Sequence, residues 1–207
     1  VVWGVDNHVR RYDYSVMGGE FDRWFLAHHD GPTFPVDESN PKHTYLPCGF
    51  DPEYFTPSPI PMADREFDVC MVGVMYDRRA EIIEAMRAVG LKVFAATGLL
   101  YGDYAKAYHN ARISLCVSAA GDVAQRVFET AAMGCIVLSD PCADYARAQE
   151  YRVPILFDTT EEAVRKAQWL LQWEGLEMEG KRMIAFAAPH TWDNHAQVVL
   201  DTMFKGE

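Results

Sequence analysis

From residue 67 onward, short apolar runs alternate with longer stretches whose apolar residues recur every three or four positions. The short runs read as buried strands and the longer stretches as amphipathic helices, an alternation that predicts a parallel sheet wrapped by helices. The first run is 67–72, Phe-Asp-Val-Cys-Met-Val, closed by Gly73. A helix over 78–89 follows, with Ile82, Ile83, Met86 and Val89 on one face and Gly90 placed to end it. Strand 92–96, helix 102–111, strand 113–117, helix 124–133, strand 135–139, a helix near 142–149 and strand 153–157 continue the pattern. Helix 161–173 is announced by Thr159 with Glu162 three residues later, a capping-box spacing. Five strand–helix units in succession give an α/β, Rossmann-like doubly wound parallel sheet. Helices over 177–187 and 192–204, separated by Pro189, extend it.

Residues 1–60 have another texture. Strand candidates 1–5, 23–27 and 44–46 are separated by loops rich in Gly, Pro, Asp and His, too little chain for a second doubly wound domain. The proline-dense segment 52–61 is a stiff, extended connector, so the expected division is an abbreviated N-terminal α/β part over 1–60 and a Rossmann-like domain over 61–207. The opening Val1-Val2-Trp3 reads as the inside of a strand, from which upstream residues are expected. So short a part leaves sheet edges that need cover, from upstream chain or from a second copy in a homo-oligomer.

Composition narrows the class. The 207 residues, 49% hydrophobic, can bury one good core plus a small appendage. A net charge of −11 and a pI near 5.0 exclude nucleic acid as the main partner, because phosphate-backbone affinity needs clustered Lys and Arg. Five scattered cysteines form no CxxC pair and read as reduced core residues. No apolar run reaches the length of a membrane span and no secretory signal is visible, so a soluble, cytoplasmic protein is expected. Of the seven histidines only His190 and His195 share a helix, five apart and therefore on different faces, so no metal site is predicted.

In an open parallel sheet, ligands bind beyond the carboxyl ends of the strands, where helix N-termini aim unpaired N–H groups outward. The candidate segments are therefore 73–79, 97–101, 118–129 and 139–144, and they contain Gly73, Thr97, Gly98, Tyr101 and Ser118. Segment 121–134 is the most informative, because Arg126 and Glu129 open a helix that is otherwise small and apolar. Glu129 can accept two ribose hydroxyls, and Arg126 with the N–H groups of Val127 and Phe128 can hold a diphosphate. Equally, the two charges can pair with each other three apart on the helix surface. Arg78 and Arg79 begin a helix, where a cation meets an unfavourable dipole unless an anion is near. One of them grips a phosphate, or both are solvated or paired with Glu81 and Glu84. Asp6 and His8 end the first strand, and either can deprotonate an acceptor hydroxyl or simply form a turn. His28, His29 and Asp30 at the next strand end have the same two readings. Trp169, Trp173 and Trp192 stand at helical spacings and are expected to be core or interface anchors.

The run Arg126-x-Phe128-Glu129-x4-Gly134, followed by Ile136-Val137-Leu138-Ser139, resembles the donor-binding segment of group 1 glycosyltransferases of the GT-B fold, closest to the spore-maturation-protein type. The upstream Tyr104-x3-Tyr108-x2-Ala111-Arg112-Ile113-Ser114-Leu115 and the connector Tyr45-Leu46-Pro47-x-Gly49-x-Asp51-x3-Phe55-x-Pro57 are similar to that family in the same order. The resemblance implies a metal-independent, hexosyltransferase-type enzyme with no cofactor. Its donor would be a nucleotide diphosphate sugar, UDP- or GDP-linked, with Glu129 on the ribose, Arg126 near the phosphates and the base near Thr97, Gly98 and Tyr101. It also implies an acceptor-side first part and a last helix that crosses back onto it. Many relatives carry a further carboxylate where Gly121 stands here. A non-catalytic nucleotide-sugar binding module is the competing reading, favoured by the short first part. A response-regulator-like domain lacks its acidic cluster, since Gly73-Val74-Met75-Tyr76 follows the first strand.

Overall fold

The computed structural model describes residues 1–4, 21–29, 35–147 and 154–204. Strands β1 (Val2–Gly4), β2 (Trp24–Leu26) and β3 (His43–Tyr45) form a small parallel sheet in the order β1-β2-β3. Its middle strand, Trp-Phe-Leu, is apolar on both faces and wholly buried, as a strand covered on both faces must be.

The second sheet is parallel and five-stranded: β4 (Phe67–Val72), β5 (Val93–Ala96), β6 (Ala111–Cys116), β7 (Ile136–Ser139) and β8 (Ile155–Leu156), in the order β5-β4-β6-β7-β8. Helices α1 (Asp77–Ala88), α2 (Tyr101–His109), α3 (Arg126–Ala132), α4 (Ala143–Arg147) and α5 (Thr160–Gln172) follow the strands in turn; α6 (Leu176–Ala187) and α7 (Trp192–Phe204) complete the chain. The two-residue period of β4 divides the core. Val69 and Met71 join Ile82, Ile83 and Met86 of α1, whereas Cys70 and Val72 join Ala105, Ala107 and Tyr108 of α2. The chain reverses its direction of travel across the sheet between β4 and β6, and that switch point is where an open α/β sheet leaves a crevice for ligands.

Element boundaries follow the expected pattern closely, and the Thr159 hydroxyl caps α5 by accepting from the Glu162 N–H at 3.2 Å. The predicted helix 124–133 shortens to the seven residues of α3. Two of the three tryptophans are not core anchors. Ala163, Ala167 and Leu170 take the buried stripe of α5, leaving Trp169 56% and Trp173 37% exposed and stacked on each other. Trp192 is an anchor as expected: its ring meets Trp3 of β1 edge-on at 5.2 Å and lies over Gly49, where a Cβ would come within 2.9 Å of it. Backbone bonds from Phe50 N–H to the His190 carbonyl and from Trp192 N–H to the Phe50 carbonyl, each 3.0 Å, bring the last helix back to the first sheet. Among the described residues no helix is long and apolar enough to cross a membrane.

Candidate active site at the sheet switch point

After β6 the chain passes through a loop organised by Ser118. Its hydroxyl accepts the N–H groups of Ala120, Gly121 and Asp122 and donates to the Asp122 carboxylate, while its own N–H donates to Asp140. Ser118, a candidate ligand contact, is thus engaged in shaping the loop. Gly121 has φ +77°, a left-handed conformation that favours glycine over a carboxylate-bearing residue. The loop then delivers α3 to the switch point.

The Arg126 side chain reaches back to the end of β4 and lies against Gly73, where any Cβ would overlap its Nη2. Its Nε and Nη1 are buried and have no hydrogen-bond partner among the described residues. Burial opposes the charge, yet the surrounding Tyr108, Cys116, Tyr104 and Glu129 more than offset it, and the guanidinium pKa is raised. A buried cation with vacant donors is costly unless an anion completes it.

Three positions further along α3, Glu129 accepts from the Tyr104 hydroxyl at 2.7 Å and from the Gln125 amide at 2.8 Å. Burial raises its pKa, and these two bonds and Arg126 oppose the rise. Glu129 forms one wall of a cavity of about 410 Å³, with Tyr54, Leu100, Tyr101, Tyr104 and Trp192 among its other lining residues. A mostly apolar and aromatic pocket with the carboxylates of Glu129 and Asp51 on its wall suits a planar base carried on a polyhydroxylated ring. Tyr101, at φ +46°, holds its exposed ring 5.5 Å from that of Tyr54. Thr97 and Gly98 form the turn leaving β5; the Thr97 hydroxyl donates to the Gly73 carbonyl and Gly98 has φ +78°.

Several expected contacts are corrected by this geometry. The N–H groups of Val127 and Phe128 are not free for a diphosphate. They donate to the carbonyls of Ala124 and Gln125, because a turn precedes α3, and both side chains are buried in the core. Arg79 is buried with its guanidinium on the Val117 and Val74 carbonyls, so carbonyl oxygens rather than a phosphate satisfy it. Arg78 is half exposed and pairs with Asp140 at 3.6 Å. Neither arginine pairs with Glu81, which accepts from Thr160, or with Glu84, which pairs with Arg87. Asp6, His8 and Asp30 lie outside the described residues. His28 is buried and bonded to Asp144 at 3.3 Å, and the His29 N–H donates to the same carboxylate at 2.8 Å while its ring stacks on Tyr45. His28 therefore bridges the two sheets rather than facing an open acceptor site.

Tyr104, Gln125, Tyr54 and Trp192 were not candidates on sequence. Tyr104 had a signal, its place in the Tyr104-x3-Tyr108 run, but nothing in spacing links it to a carboxylate 25 residues away.

The sequence pattern of a family described as glycosyl transferase-like matches residues 61–201. No curated protein matches the chain. Among solved structures it is similar to Anabaena HepE in complex with UDP-glucose, at 10% identity and a TM-score of 0.70 over 92% of this chain and 66% of that one. It is also similar to a glycosyltransferase from Rickettsia africae, at 11% identity and a TM-score of 0.66 over 96% and 67% of the two chains. Sucrose-phosphate synthase from Thermosynechococcus elongatus gives 13% identity and a TM-score of 0.64 over 90% and 59%. At such identities the likeness is one of fold, the GT-B arrangement of two α/β parts. The chain spans under two thirds of the HepE and sucrose-phosphate synthase chains.

Proposed function

The chain belongs to the glycosyl transferase-like family, and on that premise we propose that it binds a nucleotide diphosphate sugar, UDP- or GDP-linked, and transfers the sugar to an acceptor. The observation that carries the reading is Arg126, a buried guanidinium with two vacant nitrogens beside the Cβ-free Gly73 and one turn from Glu129. In this reading the diphosphate completes Arg126 and approaches the backbone at Gly73. The ribose diol donates to Glu129, and the base enters the cavity beside Leu100, Tyr101 and Tyr54. Catalysis then rests on positioning and on Arg126 stabilising the charge that develops on the departing diphosphate. Arg126 takes the electrostatic role that a divalent ion would otherwise fill, so the proposed transfer is metal-independent, and the resemblance of the 126–134 segment supports a hexosyl donor. Asp6 or His8 would serve as acceptor base. The Tyr104, Tyr108 and Arg126 to Gly134 motifs support the spore-maturation-protein-like subtype, and the five free cysteines support a reducing, cytoplasmic setting.

Calorimetric titration against UDP- and GDP-linked sugars tests the proposal. Glu129→Ala should weaken binding of nucleotides with an intact ribose diol far more than it lowers the melting temperature; equal losses of both would make Glu129 structural. A second reading is a donor-binding module that transfers nothing. Sugar release from the donor, to acceptor or to water, separates the two.

A further inference from the structure

The two hydrogen-bond partners of Glu129 differ in every respect that bears on ligand entry. Tyr104 is fixed. Its ring packs against Phe55 at 5.8 Å and Tyr108 at 4.8 Å, and it sits on the first turns of α2, so its hydroxyl cannot leave Glu129 Oε2 without moving that aromatic cluster. Gln125 is exposed, precedes α3 by one residue and places only its flexible amide on Glu129 Oε1. Both line the cavity with Glu129. A carboxylate offers roughly four acceptor positions; Tyr104 and Gln125 fill one on each oxygen, so a vicinal diol that donates to both oxygens competes at Oε1 with the flexible amide of Gln125.

We propose that Tyr104 positions the Glu129 carboxylate for the ribose, and that Gln125 is a stand-in for a ribose hydroxyl which the nucleotide must displace. This rests on the donor-site reading above. The amide donor on Oε1 occupies the place of one hydroxyl donor, so the ligand-free carboxylate is kept satisfied at a cost to affinity. The cost is small, because the released amide is already at the surface and exchanges Glu129 for water. Tyr104 has the reverse effect: it costs the ligand nothing and holds the acceptor at the cavity wall.

The ionisable groups facing Glu129 are Arg126 on its own helix, Tyr104 on α2 and, around the same cavity, Asp51, Tyr54 and Tyr101. Burial raises the Glu129 pKa while the Tyr104 bond lowers it most among the opposing influences. Diol binding uses the ionised form, so affinity falls as pH drops through that pKa. Removing the Tyr104 hydroxyl moves the fall to higher pH.

The test is calorimetric titration of the wild-type chain, Gln125→Ala and Tyr104→Phe with UDP and GDP and with their 2′,3′-dideoxy counterparts, from pH 5 to 8, alongside melting temperatures. Gln125→Ala should bind the diol nucleotide roughly 3- to 10-fold tighter and the dideoxy compound unchanged. Tyr104→Phe should bind the diol nucleotide about 10-fold or more weaker, leave the dideoxy compound unchanged and lose affinity at a higher pH than wild type. Weaker binding by Gln125→Ala would make Gln125 a direct ligand contact, and unchanged binding would remove its displacement; either overturns the proposal for Gln125. An unmoved pH profile in Tyr104→Phe overturns the positioning role. If the wild-type chain itself fails to distinguish diol from dideoxy nucleotide, the donor-site reading has failed instead.

Discussion

Two helices flanking the larger sheet carry a largely enclosed arginine in their first turn. At the start of α1 the buried Arg79 sends its N–H groups to the carbonyls of Val117 and Val74. At the start of α3 Arg126 is also largely enclosed, but two of its nitrogens meet no acceptor among the described residues. The first arginine ties the end of β6 to the turn after β4 and is a component of the scaffold. The second keeps two vacant donors, which the proposed function assigns to a diphosphate. Residue type and first-turn placement are shared; what separates them is whether local carbonyls already satisfy the guanidinium. The two are also coupled, because after burial it is the charge of Arg126 that most lowers the Arg79 pKa.

The largest effect expected from this contrast is at the scaffold arginine. Arg79→Met leaves buried carbonyls without donors and should cost about 3–5 kcal/mol of stability in urea unfolding. Nucleotide affinity of the folded fraction should stay within about threefold of wild type. A loss of affinity with intact stability would reverse the assignment of the two arginines.

Arg126→Met should do the opposite. It removes a cation that lacks hydrogen-bond partners but that its surroundings favour, so the two effects oppose each other and stability should change by no more than about 1 kcal/mol, while binding of UDP or GDP weakens by about 2–3 kcal/mol, or roughly 30- to 150-fold. A more strongly destabilised Arg126→Met protein would mean that the guanidinium has acceptors within its own chain. Gly73→Ala sharpens the same point more mildly. Its Cβ meets Arg126 and its φ of +149° strains a side chain, so about 1–2 kcal/mol of stability and about 10-fold in nucleotide affinity should be lost together.

The contrast between the arginines also marks where sequence reading stops. The five strands of the larger sheet were legible because β4 to β8 are short apolar runs bounded by turns, and because Gly90 and the Thr159 cap punctuate the helices. Arg126 and Glu129 stood out as charges opening an apolar helix. Their partners did not. Arg79 meets Val117 across 38 residues, Tyr104 meets Glu129 across 25, and His28 meets Asp144 across 116. Spacing along a helix reveals neighbours three or four apart and nothing of what a sheet brings together. The same limit explains Val127 and Phe128: their N–H groups count as vacant only if no turn precedes the helix, and one does. The core half of the expectation for Trp169 and Trp173 failed for a related reason, since small alanines can own a buried stripe as well as large rings can.

The smallest effect belongs to Arg78, and its size depends on pH. Its pairing with Asp140 spans 3.6 Å, and its own side chain is half exposed, so the ion pair is screened and worth at most about 1 kcal/mol. Burial raises the Asp140 pKa, while the Ser118 N–H and then Arg78 hold it down. A carboxyl whose folded-state pKa lies above its unfolded value contributes stability below the unfolded pKa and loses it as pH rises through the folded one. Removing Arg78 raises the Asp140 pKa further, so Arg78→Ala should be destabilised by roughly 0.5 kcal/mol near neutral pH and indistinguishable from wild type once Asp140 is protonated in both states. Added salt should shrink the neutral-pH difference. Nucleotide affinity should not move, because α1 presents its exposed arginine to Asp140 and not to the cavity. A tenfold loss of UDP or GDP affinity in Arg78→Ala, with stability unchanged, would return the phosphate to α1 and erase the distinction between the two helix starts.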